Sequence, residues 1–216
     1  LVSDSWPLVL SGLAVMVYMR IDQVMLGQML GDKEVGVFSA AVRISEAFYF
    51  VPMMIVTSVF PAIIDAKERS DQLYKKRLKN LFELMIVLAL GFALPISLMS
   101  EWIVSILYGA AFSDAAQVLA VQVWAGVFVF SGVASSRWFL IEGLQKYSFY
   151  RTLAGAIINV VLNFIFIPKF GVSGAAWATL GSQAVASVLF NLSNSKTRPI
   201  FYMQIKAIFG ISFFQK

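Results

Sequence analysis

Two apolar stretches, Pro7 to Leu30 and Val35 to Ile64, are joined by the short polar turn Gly31-Asp32-Lys33-Glu34. A helix needs about 20 apolar residues to cross the hydrocarbon core of a bilayer, and each stretch is longer than that. Within them sit four ionisable residues, Arg20, Asp22, Arg43 and Glu46. A charge carried to that depth is costly and by default marks a pathway or a binding site. A helical hairpin that keeps two arginines and two carboxylates is the constraint that any fold for this chain has to meet.

Composition sets the fold class. Apolar residues make up 59% of the 216 and charged residues only 13%, against about 25% charged in an ordinary soluble domain. The charges are clustered between long uncharged runs, so the expected fold is all-α, a polytopic membrane helix bundle. The sequence has no Cys and no His. That removes disulfides, thiolate chemistry, the commonest general base and the commonest metal ligand. No pairing of Ser with a base and no metal-ligand spacing stands out, so the reading is a protein that is not an enzyme and carries no cofactor or metal. The formal charge of +5 is read as membrane topology rather than nucleic-acid binding, because the basic residues fall between apolar spans.

Six spans are expected, at about 7–30, 35–64, 78–99, 115–141, 149–167 and 174–192. Ser5 and Pro7 suit the start of the first helix. Pro52 should kink the second and Pro61 should mark its fraying end. Asp65 to Lys79 reads as a charged loop. Trp102 to Phe112 is too short to cross; its Trp102 and Tyr108 suit the headgroup level, giving a short interfacial segment. Asp114 and Gln117 resemble a capping pair for the fourth span. Pro168 and Gly171 should stop the fifth. In the sixth, Gly174, Ala178, Ser182 and Ala186 recur every four residues and offer a small-residue face to a neighbouring helix. Residues 1–198 are thus read as a six-helix transmembrane lobe and 199–216 as an interfacial C-terminal helix. The chain opens at Leu1 without a basic leader, and the expectation is a fragment or one lobe of a longer protein.

Basic residues orient the bundle. If the first span starts on side one, that side holds Lys67, Arg69, Lys75, Lys76, Arg77 and Lys79, then Lys146, Arg151, Lys196, Arg198 and Lys206. Side two holds Lys33 and Lys169. The positive-inside rule makes side one cytoplasmic, and the expected location is a bacterial or archaeal cytoplasmic (inner) membrane.

Folding the first hairpin about Lys33 brings Arg20 level with Glu46, and Asp22 level with Ile44 beside Arg43. Arg43 and Glu46 share a helix face. Arg20 and Asp22 are about 200° apart at about 100° per residue, so they point in nearly opposite directions and simple facing pairs cannot serve all four. The plain structural explanation is buried ion pairs that fix helix register. The functional one is a water-filled cavity with a cationic wall, in which the arginine forks suit phosphate and the carboxylates hold the arginines or titrate. Arg137 and Glu142, at the end of the fourth span, are read as snorkelling. Asn159 and Asn163 are read as interhelical hydrogen bonds, and Gln122 and Gln183 likewise.

Several segments resemble a known family. They are Ile21-Asp22-Gln23-Val24-Met25-Leu26-Gly27, Val35-Gly36-Val37-Phe38-Ser39-Ala40-Ala41-Val42-Arg43-Ile44-Ser45-Glu46, Val59-Phe60-Pro61, Ile106-Leu107-Tyr108-Gly109 and Ile167-Pro168-Lys169-Phe170-Gly171-Val172-Ser173-Gly174-Ala175-Ala176. Together they are similar to the polysaccharide-unit flippases of the multidrug/oligosaccharidyl-lipid/polysaccharide exporter superfamily, which include O-antigen transporters. The resemblance implies two lobes of six helices around a cavity, with this chain as the second lobe. It implies alternating access that moves a lipid-linked oligosaccharide from the inner to the outer leaflet. The diphosphate of an undecaprenyl carrier would meet Arg20 and Arg43, with Asp22 and Glu46 in the same substrate site. Expected partners are the saccharide substrate, membrane lipid, the missing N-terminal lobe and polysaccharide polymerase machinery, with no nucleic acid. The alternatives are a peptidoglycan lipid precursor flippase, a cation-coupled drug exporter of the same superfamily, or a structural membrane scaffold.

The absence of Cys makes the orientation testable by single-cysteine labelling. A cysteine at Ser70 should be shielded from an impermeant thiol reagent added outside the cell, and one at Lys169 should react. The reverse pattern overturns the orientation.

Overall fold

The computed structural model describes residues 20–210, and among these it contains helices, short 3₁₀ turns and no strand. Residues 20–29 form the described end of α1; the rest of the expected first span lies outside the described residues, as do residues 211–216. The chain continues through α2 (Asp32–Glu46), α3 (Phe50–Arg69), α4 (Asp71–Leu98), α5 (Ser100–Tyr108), α6 (Asp114–Gln122), α7 (Ala125–Ile141), α8 (Gln145–Ser187) and α9 (Arg198–Phe209). Four helical segments are long and apolar enough to cross a membrane: Asp32–Arg69, Asp71–Leu98, Asp114–Ile141 and Gln145–Leu192. The chain is therefore an all-α, multi-pass membrane protein.

Several boundaries differ from the sequence reading for local reasons. The second span is broken at residues 47–49, just before Pro52. Pro52 has no N–H for the Phe48 carbonyl four residues back. The chain tightens instead, with Val51 N bonded to Phe48 O at 3.1 Å and Tyr49 N to Glu46 O at 2.9 Å. Pro61 does not fray the helix; it lies inside α3, which runs on to Arg69. The charged stretch from Asp65 to Lys79 is not a loop but two helix ends split at Ser70. Ser70 is extended (φ −164°, ψ 129°), and its hydroxyl accepts from Leu73 N. The pairs Arg69–Asp65 (2.8 Å) and Lys75–Asp71 (2.6 Å), each four residues apart, run along those ends. The expected fourth span is α6 and α7 with a step at residues 123–124. Asp114 is the first residue of α6, and no side chain caps that helix.

The fifth and sixth expected spans form one element that turns back on itself. Unbroken, the 43 residues of α8 would extend about 65 Å at 1.5 Å per residue, about twice the hydrocarbon thickness. The turn is at Gly171, where φ is 58° and ψ is −140°, a conformation open to glycine and strained for residues with a Cβ. Side chains added at glycines show how tightly the two limbs pack. A methyl at Gly155 would lie 2.5 Å from the Ala186 Cβ, one at Gly181 would lie 3.1 Å from Leu162, and one at Gly174 would collide with the Phe166 carbonyl. The small-residue face at Gly174, Ala178 and Ser182 is buried, and its partner is the other limb of the same hairpin. Around it, α7 lies against both α8 and α4, α6 against α2 and α8, and α9 against α4. The core includes Phe38, Phe82, Phe130 and Phe139, with Phe48 and Phe92 packed ring to ring at 4.6 Å.

Two glycine substitutions should separate on this basis. Gly174→Val should cost about 1–3 kcal/mol through overpacking and lower the melting temperature in detergent. Gly91→Ala, where an added Cβ meets nothing within 4 Å, should hold or raise it, by up to about 1 kcal/mol of helix propensity.

Candidate functional site

Helix geometry divides the first pair of charges. Asp22 and Leu26 are four residues apart and both buried, while Arg20 and Val24, on the other face of α1, are exposed. The Asp22 carboxylate enters the crevice between the α8 limbs, where Asn163 Nδ2 donates to Oδ1 and Thr179 Oγ1 donates to Oδ2 at 2.9 Å. The network continues inward. Asn163 Nδ2 also bonds Asn159 Oδ1 at 3.1 Å, and Asn159 Nδ2 reaches Ser182 Oγ at 3.3 Å. Asn159 and Asn163 therefore act between helices, as their spacing indicated, and one of their partners is the candidate carboxylate itself.

The second pair stays outside this crevice. Arg43 is exposed and Glu46 half-buried on α2. Among the described residues, neither Arg20 nor Arg43 forms an ion pair within 4.0 Å. Arg20 and Asp22 both exert Coulombic influence on Glu46, so these residues share a neighbourhood, but the four do not close into one buried cluster. The structure buries Asp22 inside the helix packing and leaves Arg20 and Arg43 exposed on its surface.

An ionised carboxylate inside a membrane protein needs a compensating charge or a proton. Asp22 has no cation paired with it among the described residues. Asn163 Oδ1, beside it, is buried without a hydrogen-bond partner. A carboxylate, an amide oxygen and the Thr179 hydroxyl are hard oxygen donors. That set can hold a proton or a small hard cation. Among the described residues, no group of three or more His, Cys, Asp or Glu is arranged to hold a metal ion.

Arg151 is a buried charge that the sequence reading missed, having counted it among the cytoplasmic loop cations. Arg151 is buried between the first limb of α8 and α7. Its Nη1 donates to Ser135 Oγ at 2.6 Å, and its Nη2 donates to Ser136 Oγ at 2.7 Å and to Gly132 O at 3.1 Å. Its guanidinium lies 4.9 Å from the centre of the Phe139 ring. The signal was present in the spacing: Arg151, Gly155, Asn159, Asn163 and Ile167 recur every four residues, and all are buried. Glu142, read as snorkelling, is tied down by the Tyr74 hydroxyl at 2.7 Å and Lys67 Nζ at 2.9 Å. Arg137 lies over the Phe60 ring at 5.3 Å.

The family model described as "Polysaccharide biosynthesis protein" matches residues 1–67, the stretch that carries Arg20, Asp22, Arg43 and Glu46. The chain is 32% identical over 187 residues to "Probable flippase AglR" of Haloferax volcanii, covering 83% of this chain and 38% of that protein. It is 24% identical over 176 residues to "Probable low-salt glycan biosynthesis flippase Agl15" of the same organism, covering 80% of this chain and 37% of the other. The chain thus spans under two fifths of the length of these relatives. No solved structure matches it significantly.

The Asp22 cluster makes a stability prediction. Asn163→Leu should leave the carboxylate short of a donor and cost about 1–3 kcal/mol. Adding Asp22→Asn should recover part of that loss in thermal melting, because a neutral amide in place of the carboxylate costs less to bury. Additive losses in the double mutant would dissociate the two residues.

Proposed function

Because the chain belongs to the polysaccharide-biosynthesis family of glycan flippases, we propose that it forms one six-helix lobe, residues 1–198, of a transporter that moves a lipid-linked oligosaccharide across the membrane by alternating access. The C-terminal helix α9 lies at the membrane interface in this reading. A second lobe closes a cavity against the face that carries Arg20 and Arg43. The observation that supports this reading is that Arg20 and Arg43 are both exposed and, among the described residues, neither forms an ion pair within 4.0 Å. An exposed guanidinium facing lipid would be unfavourable, whereas one facing a wet cavity presents a planar fork that pairs with two phosphate oxygens at once. The anionic linkage between carrier lipid and sugar is the part of the substrate that this fork fits. Glu46 keeps the net charge of the face low enough for the substrate to leave.

Asp22 has a separate role in this proposal. Its carboxylate gains and loses a proton or small cation as the lobe changes state, coupling that exchange to the packing of α1 against α8. A cation-coupled drug exporter would share this feature, and the unengaged arginines favour an anionic lipid-linked substrate over it. A purely structural scaffold would need its arginines paired.

Flipping of a labelled polyprenyl-diphosphate oligosaccharide in proteoliposomes tests the substrate site. Arg43→Ala should abolish flipping while leaving the unfolding stability within about 0.5 kcal/mol of wild type, as for an ordinary surface change. Arg43→Lys should retain only part of the rate, because it keeps the charge and loses the fork. A strongly destabilised Arg43→Ala whose fold and transport are both restored by Arg43→Gln with Glu46→Gln would instead place Arg43 in a structural pair. Residues 1–216 reconstituted alone should not flip, and addition of the second lobe should restore activity. Flipping by the chain as a monomer overturns the two-lobe requirement.

A further inference from the structure

Helix α9 packs against α4, α7 and the 3₁₀ turn Leu189–Leu192 that follows α8. Ile200, Gln204 and Ala207 form its buried side, while Tyr202, Lys206 and Phe209 are exposed. Gln204, in the middle of the buried side, is 0% exposed. Its amide is fully used. Nε2 donates to Ser131 Oγ on α7 and to the Ser187 carbonyl at the end of α8, each at 2.9 Å, and Oε1 accepts from Asn191 Nδ2 at 2.8 Å. One side chain of α9 thus joins α7, the end of α8 and the turn after it.

The Ser187 carbonyl needs such a donor. Helix α8 ends there, because Val188 turns out of it (φ −127°, ψ −62°). In an unbroken helix this carbonyl would accept from Asn191 N, four residues on. Asn191 N instead bonds Val188 O at 3.1 Å, and the Asn191 side-chain amide reaches Ser187 O at 3.1 Å. The last carbonyls of a helix have no partner of their own, and one left bare inside an apolar bundle is costly. Gln204 supplies the second donor. The cluster has none to spare, since Asn191 Oδ1 is itself buried without a hydrogen-bond partner.

The same place on α7 holds Arg151. Ser131, which accepts from Gln204, directly precedes Gly132, whose carbonyl accepts from Arg151. A methyl at Gly132 would lie 2.6 Å from Ser187 Oγ, so α7 and the end of α8 touch closely there. Two successive residues of α7 are therefore gripped by the two limbs of α8, one through Arg151 and the other through Gln204 and Ser187.

We infer that α9 is a latch on the contact between α7 and α8, fastened by Gln204, and that its docking is coupled to the hold of Arg151 on α7. A helix of 12 residues is marginal by itself, so α9 docks or opens as a unit. Opening takes the Gln204 donors from Ser131 and Ser187 together and loosens the turn of α7 whose Gly132 carbonyl receives Arg151. The inference does not depend on what the lobe carries.

Labelling of single cysteines in this Cys-free chain with a small membrane-permeant maleimide tests the latch. Ala207→Cys puts a thiol on the buried side of α9, and Lys206→Cys puts one on its exposed side. Ala207→Cys should be protected in the otherwise unchanged chain and react several-fold faster when Gln204→Leu is added, while Lys206→Cys reacts alike in both. Coupling is reciprocal, so Arg151→Lys, which keeps the charge and loses the fork, should also speed labelling of Ala207→Cys. Gly174→Val, which loosens the α8 hairpin near its turn, should not. Protection that survives Gln204→Leu would mean that apolar contacts alone hold α9. An unchanged rate with Arg151→Lys would separate the two contacts, and faster labelling with Gly174→Val would mean general loosening. Each of these three results overturns the inference.

Discussion

The close approach of the two limbs of α8 is the contact on which the interior depends. Gly155 against Ala186, Gly181 against Leu162 and Gly174 against the Phe166 carbonyl bring two helices near enough for short polar side chains to span the gap. Asn159 can then reach Ser182, and Asn163 and Thr179 can converge on Asp22 from opposite limbs. In a bilayer the apolar effect does not drive helices together, because lipid tails are as apolar as the side chains; packing and interhelical hydrogen bonds do that work. Small residues and polar residues are therefore parts of one device. Glycines set the distance, and amides and hydroxyls use it.

The same hairpin organises the charges. Its first limb presents Arg151 to α7 near one end and Asn159 and Asn163 to Asp22 nearer the turn, all along one four-residue stripe. Arg151 is satisfied by the Ser135 and Ser136 hydroxyls and the Gly132 carbonyl rather than by a carboxylate. Asp22 is satisfied by an amide and a hydroxyl rather than by an arginine. A buried ion pair would have locked each charge to one partner. Neutral donors and acceptors leave the Asp22 carboxylate without a fixed counter-charge among the described residues.

Much of this was legible in the sequence. Uncharged runs long enough to cross a bilayer fixed the helical membrane class. The 200° separation of Arg20 and Asp22 implied that they could not serve the same partner, and one is indeed exposed and the other buried. The asparagine pair was readable as interhelical. The break expected at Pro52 lies a few residues earlier, the expected Asp65–Lys79 loop is two helix ends split at Ser70, and the step at residues 123–124 was not expected at all, because helix ends are chosen by competition between adjacent backbone hydrogen bonds that pattern does not resolve.

Residue order alone determined which segments enter the membrane and which side chains share a helix face, since both follow from hydrophobic length and from about 3.6 residues per turn. It could not decide what each face meets. Arg151 reads as a loop cation until α7 supplies the Ser135, Ser136 and Gly132 oxygens. Asp22 reads as a partner for Arg43 until the fold-back at Gly171 places Asn163 and Thr179 beside it. Those choices belong to the tertiary structure, because a charge buried away from water takes whatever donors the neighbouring helices bring within hydrogen-bond distance, and sequence spacing does not record which helices are neighbours.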